Sequence, residues 1–62
     1  MIGIKEMKLV EIRSEDPEFY YCYEVGSHPR NMVLVNKRWL KMYPDDFRMQ
    51  RDKKTMLVRA DI

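Results

Sequence analysis

Two runs of strand-forming residues dominate the first half of the chain: Met-Lys-Leu-Val-Glu-Ile-Arg at 7–13 and Phe-Tyr-Tyr-Cys-Tyr-Glu-Val at 19–25. The five residues between them, Ser-Glu-Asp-Pro-Glu, suit the connection of an antiparallel hairpin. With Arg13 opposite Phe19, Ile12 faces Tyr20, Val10 faces Cys22 and Lys8 faces Glu24. Directly opposed residues point to the same side of a sheet. One face then holds Val10, Ile12, Tyr20 and Cys22, with Lys8 and Glu24 as an opposite-charge pair at its rim. The other holds Met7, Leu9, Phe19, Tyr21, Tyr23 and Val25, with Glu11 and Arg13 toward the turn. An antiparallel sheet with one solvated face alternates apolar and polar residues. This hairpin does not. A slip of one residue would exchange the two faces without making either polar, so the requirement for cover on both sides survives an error in register.

The rest of the chain offers little cover. Met-Val-Leu-Val at 32–35 is a continuous apolar run and reads as a central strand. Residues 36–43 read as a short helix with Asn36 as its N-cap and Trp39, Leu40 and Tyr43 on one side. Lys37 and Arg38 oppose the helix dipole in its first turn. Residues 47–50 alternate, with Phe47 and Met49 together, Arg-Asp-Lys-Lys at 51–54 is a turn, and 55–60 is a last strand. An alternative helix over 44–54 would start favourably at Pro44, Asp45 and Asp46 but has a poor apolar stripe. The expectation is a single small domain over 1–62, α+β or mainly β, with an antiparallel sheet of four to five short strands and at most one short helix. The alternative is an SH3-like small barrel, which would enclose one face by curling. Met42, Met49 and Met56 are seven apart, but Pro44 excludes the continuous helix that a coiled coil requires.

Size sharpens the problem. A domain of 62 residues buries only about 60% of the surface of its unfolded chain and is marginal unless stapled or oligomeric. One cysteine rules out an internal disulfide, and Cys22 with His28 cannot make a four-ligand Cys/His zinc site. Neither staple is available, which points to a partner. Charged residues at 35% and apolar residues at 45% describe a folding chain. No apolar run approaches the roughly 20 residues of a membrane span, and charges interrupt the N-terminal ten residues where a signal peptide would be apolar. One unpaired thiol without an export signal suits a cytoplasmic protein. The chain reads as a complete small gene product, of the kind that phage genomes encode.

No catalytic constellation is visible. Cys22 lies mid-strand and reads as a small buried hydrophobe, while His28 lies beyond a turn beginning at Gly26, so the pair is not poised for nucleophilic catalysis. The carboxylates of Glu-Asp-Pro-Glu and Pro-Asp-Asp serve turns. Gly-Ser-His-Pro-Arg has one glycine and cannot cradle a phosphate. The chain is therefore expected to be no enzyme, with no cofactor and no small-molecule substrate. The first functional expectation is a non-enzymatic protein–protein module: an adaptor, an assembly protein, an inhibitor of a larger protein or a homo-oligomer. Its contact residues would be Tyr21, Tyr23, Trp39 and Tyr43, edged by Lys37 and Arg38. The second is a nucleic-acid-binding module. Residues 1–31 carry a net charge of −2 and residues 32–62 a net charge of +4, and the window 37–54 holds seven basic residues and three acidic ones. Arg38, Lys41, Arg51, Lys53 and Lys54 would contact phosphates while Trp39 stacks a base. A pI of about 8.8 is a modest footprint for that role.

Overall fold

The computed structural model describes residues 6–61; residues 1–5, part of the stretch inspected for an export signal, lie outside it. Five strands form one antiparallel sheet: β1 (Met7–Glu15), β2 (Phe19–Glu24), β3 (Met32–Asn36), β4 (Phe47–Met49) and β5 (Thr55–Arg59). Their order is β3-β2-β1-β5-β4, and the sheet curls into a half-barrel. A single-turn helix, α1 (Trp39–Met42), lies in the connection that runs from one sheet edge to the other.

The β1–β2 hairpin forms with its faces as expected but in a different register. Val10 opposes Glu24 and Ile12 opposes Cys22, two residues from the expected alignment. Strand β1 continues through Glu15, and the register shifts between Ile12 and Ser14, making Arg13 a bulge. The turn at Asp16 is the cause. Its main-chain N–H donates to the Phe19 carbonyl at 2.9 Å, and its Oδ1 accepts the N–H of Glu18 at 2.8 Å and of Phe19 at 2.6 Å. This tightens the connection to three residues, and the bulge absorbs the remainder while increasing local twist. An offset of two preserves which side chains share a face, because the strand period is two. Lys8 and Glu24 still form an ion pair, diagonally, at 3.4 Å.

Cross-strand pairing assigns the concave face: Cys22 with Val33, Tyr20 with Val35, Val10 with Met56, Met49 with Met56, and Phe47 with Val58. Val10, Cys22, Val33, Val35, Phe47, Met56 and Val58 are the buried core, with Ile12, Tyr20, Trp39, Leu40 and Met49 packed against it. Trp39 packs tilted on Phe47 with ring centroids 5.4 Å apart. Helix α1 thus supplies cover to the open side of the half-barrel.

Four expectations are corrected. The 32–35 run is an edge strand and not a central one: both it and the exposed rim of the sheet are apolar, so its composition does not reveal its position. Asn36 does not cap the helix. Its Oδ1 accepts the Arg38 N–H at 2.9 Å in a turn before it, and Arg38 is the N-cap without a side-chain hydrogen bond. Tyr43 leaves the helical conformation and is exposed, so it does not share the buried side of Trp39 and Leu40. The helix considered over 44–54 does not form. Residues 44–46 are a turn closed onto the Tyr43 carbonyl, 47–49 pair with β5, and 50–54 are the next turn.

Carboxylates hold the two tight turns. The Tyr21 hydroxyl, then the N–H groups of Phe19 and Glu18, depress the pKa of Asp16; the N–H groups of Lys54 and Thr55 do the same for Asp52. A carboxyl whose folded pKa lies below its unfolded value adds stability that is complete above the unfolded value and lost as pH falls through the folded one. Urea midpoints should therefore be flat from pH 7 to about 5 and drop progressively below the ordinary aspartate value of 3.8. The drop should be shallower in Asp16→Ala; an equal drop in that variant would remove Asp16 as a source.

Candidate functional site

Alternation places a second set of side chains on the convex face. Tyr23 pairs with Met32 and with Glu11, Tyr21 with Leu34, and Leu9 with Leu57. The Val25 N–H donates to the Leu9 carbonyl at 3.0 Å, which sets Val25 beside that row. Met32 is 57% exposed, Val25 54%, and Leu9 and Leu34 39% each, whereas Tyr21, Tyr23 and Leu57 are half-buried. No element among the described residues covers this face, because α1 packs with β3 and β4 on the other side. Isolated exposed apolar residues are ordinary; a neighbouring set on one sheet face is not.

Arginines frame the apolar surface. Arg13 and Arg30 both approach Glu11 Oε1, at 3.2 and 3.8 Å, and line a shallow depression of about 420 Å³ with Tyr23. Arg48 is exposed opposite Leu57. The Tyr21 hydroxyl donates to Asp16 Oδ2, which draws its tip toward the hairpin turn and raises its pKa.

The sheet also ends in two different edges. Strand β4 is three residues long and carries Arg48, features that discourage further pairing. Strand β3 has five residues without a charge or a proline, and its pairing with β2 is regular. The Glu24 N–H donates to the Asn31 carbonyl and the Lys37 N–H to the Glu18 carbonyl. Alternation then turns the main-chain groups of Val33 and Val35 toward β2, and those of Met32 and Leu34 toward the free edge.

The residues expected at a protein contact do not form one surface. Tyr21 and Tyr23 lie on the convex face. Trp39, Tyr43, Lys37 and Arg38 belong to the crossing connection on the other side. Lys37 bonds Glu15 Oε2 at 2.5 Å and sits 4.9 Å from the centre of the Tyr20 ring. Trp39 and Tyr43 border an open groove of about 270 Å³ with Asp46, Phe47 and Arg59, of which Arg59 and Asp46 form an ion pair at 3.5 Å. The basic residues considered for nucleic acid also divide. Arg38 and Lys41 are on or beside α1, whereas Arg51, Lys53 and Lys54 are in the β4–β5 turn. None of these five forms a salt bridge among the described residues. The Trp39 ring is committed to Phe47.

Residues missed at the convex face are Met32 and Leu34, because their strand was placed centrally, and Arg30, whose approach to Glu11 depends on a loop; Arg13 was placed on this face beside Glu11 but not as a contact residue. Leu9 and Val25 were legible as convex residues from alternation alone.

Cys22 is fully buried, and burial raises its thiol pKa to about 11. Ellman's reagent should react with native protein only as fast as the chain unfolds; rapid stoichiometric reaction at pH 8 would show that the site is open. No group of three or more His, Cys, Asp or Glu among the described residues is placed to hold a metal ion, and no helix among them is long and apolar enough to cross a membrane. No protein-family model matches the chain, and no match of significance was found among curated proteins or solved structures.

Proposed function

We propose that this chain is a non-enzymatic protein-interaction module that docks through the convex face of its sheet. The observation that carries the reading is the set Leu9, Val25, Met32 and Leu34, exposed beside Tyr21, Tyr23 and Leu57 while a separate core fills the concave face. Apolar aromatic and aliphatic side chains framed by arginines are the composition of an interface centre with its rim. The test is affinity capture from cell extract with the wild-type chain and with Leu9→Lys/Leu57→Glu as baits. Proteins retained by the first and lost by the second support the docking face; equal retention overturns it.

Nucleic acid is the second reading. It is favoured by the exposure of Arg38, Lys41, Arg51, Lys53 and Lys54, none held in a salt bridge among the described residues. A site neutralising several phosphates loses affinity by orders of magnitude between about 50 and about 200 mM salt. With the protein reading correct, single- and double-stranded oligonucleotides should bind weakly even at low salt, and Lys53→Ala/Lys54→Ala should change nothing. Tight, steeply salt-dependent binding that is lost in this double variant would transfer the function to nucleic acid.

A further inference from the structure

We infer that the partner adds an extended, acidic segment to the free edge of β3, as a sixth strand of the sheet. The inference rests on the protein-interaction reading and names the partner's chemistry. Three observations meet at this edge. The outward main-chain groups of Met32 and Leu34 have no hydrogen-bond partner among the described residues, and an unguarded edge is a template for strand addition. Alternate residues of an added strand would fall on the convex side beside Met32 and Leu34, extending the exposed apolar surface by one strand.

The third observation is charge. Residues 25–44 contain no aspartate or glutamate but include Arg30, Lys37, Arg38 and Lys41, so β3 is bracketed by cations at both ends. Glu11 and Glu15 of β1 engage Arg30 and Lys37, and Arg38 and Lys41 remain without a salt bridge among the described residues. A second copy is a poor occupant. It would bring a second stretch without aspartate or glutamate against the same cations, so the charges at this edge would repel rather than complement. A segment with a few alternating apolar residues and carboxylates at its ends meets both requirements.

The probe is a displayed library of random peptides, selected on the 62-residue chain at about 50 mM salt, with the enriched peptides then synthesised. Selected sequences should carry Asp or Glu flanking an alternating apolar core, and exchanging those acids for amides should weaken binding about tenfold or more. On binding, the Met32 and Leu34 amides should gain protection from hydrogen exchange while convex-face residues of β5 change little. Leu34→Pro removes an outward N–H that β2 does not use, and edge strands tolerate proline. It should weaken binding roughly 10- to 100-fold, because the peptide carbonyl is left unpaired, whereas Leu34→Ala should keep most of the affinity. Peptides without acidic residues, unprotected Met32 and Leu34 amides, or no selected binder would overturn the inference. So would a stable dimer in sedimentation that protects the same two amides. Binding retained in Leu34→Pro but lost in Leu9→Lys/Leu57→Glu would overturn the edge site and leave the convex docking face standing.

Discussion

Met56→Ala should remove about 2–5 kcal/mol of folding stability, the largest effect expected of any single substitution here. Met56 is fully buried, opposite Val10 on one side and Met49 on the other. Removing such a side chain costs about 2–5 kcal/mol through lost transfer energy and the cavity left behind. Stabilities of about 0.05–0.15 kcal/mol per residue give a chain of this size roughly 3–9 kcal/mol in total. The loss is therefore a large fraction of the whole. Met42→Ala is the matched control: Met42 is exposed on α1 and should shift stability by no more than about 0.5 kcal/mol. Thermal and urea unfolding followed by circular dichroism decides the point. A cooperative Met56→Ala transition within a few degrees of wild type would mean that the core is organised differently from the one described.

The Leu9→Lys/Leu57→Glu variant should separate folding from binding. These residues oppose each other on the convex face. The exchange replaces an apolar pair with an opposite-charge pair, worth a few tenths of a kcal/mol to about 1 kcal/mol in a sheet. Glu at 57 would also lie opposite Arg48, and Lys at 9 would lie diagonal to Arg59, whose charge Asp46 and Asp61 engage. Folding stability should thus stay within about 1 kcal/mol of wild type. Partner affinity should fall by about 2–4 kcal/mol, as when central hot-spot residues are lost, a drop of at least about 30-fold. Calorimetry of binding beside unfolding curves measures both quantities on the same samples. Parallel losses in the two would mark Leu9 and Leu57 as structural residues and remove the basis for a docking face.

Much of the sheet was legible because it rests on short-range rules. The alternation at 7–13 and 19–25 assigned Val10, Ile12, Tyr20 and Cys22 to one face and Leu9, Tyr21 and Tyr23 to the other, and pairing confirms those faces. Phe47 and Met49 share a side as their spacing requires, and Cys22 is buried as a mid-strand thiol should be. The exact register was not legible. It depends on how Asp16 spends its carboxylate and on a bulge at Arg13, and neither leaves a mark in the hydrophobic pattern.

The candidate site was only half legible, for a different reason. Tyr21 and Tyr23 belong to the convex face by alternation, but grouping them with Trp39 and Tyr43 required knowing which way the connection after β3 crosses. It crosses on the concave side, because Trp39 and Leu40 lower their free energy by covering the core there. That choice leaves the other face bare.

The sequence by itself determined an antiparallel β domain, without disulfide or Cys/His zinc staple, whose strands are apolar on both sides. These properties follow from residue period and composition, which no long-range contact can change. Only the tertiary structure decided which face became core, which strand became the open edge, and where the cations gathered. Those outcomes depend on sheet order and on the path of one connection, and strands distant in sequence settle them by competing for the same apolar surface.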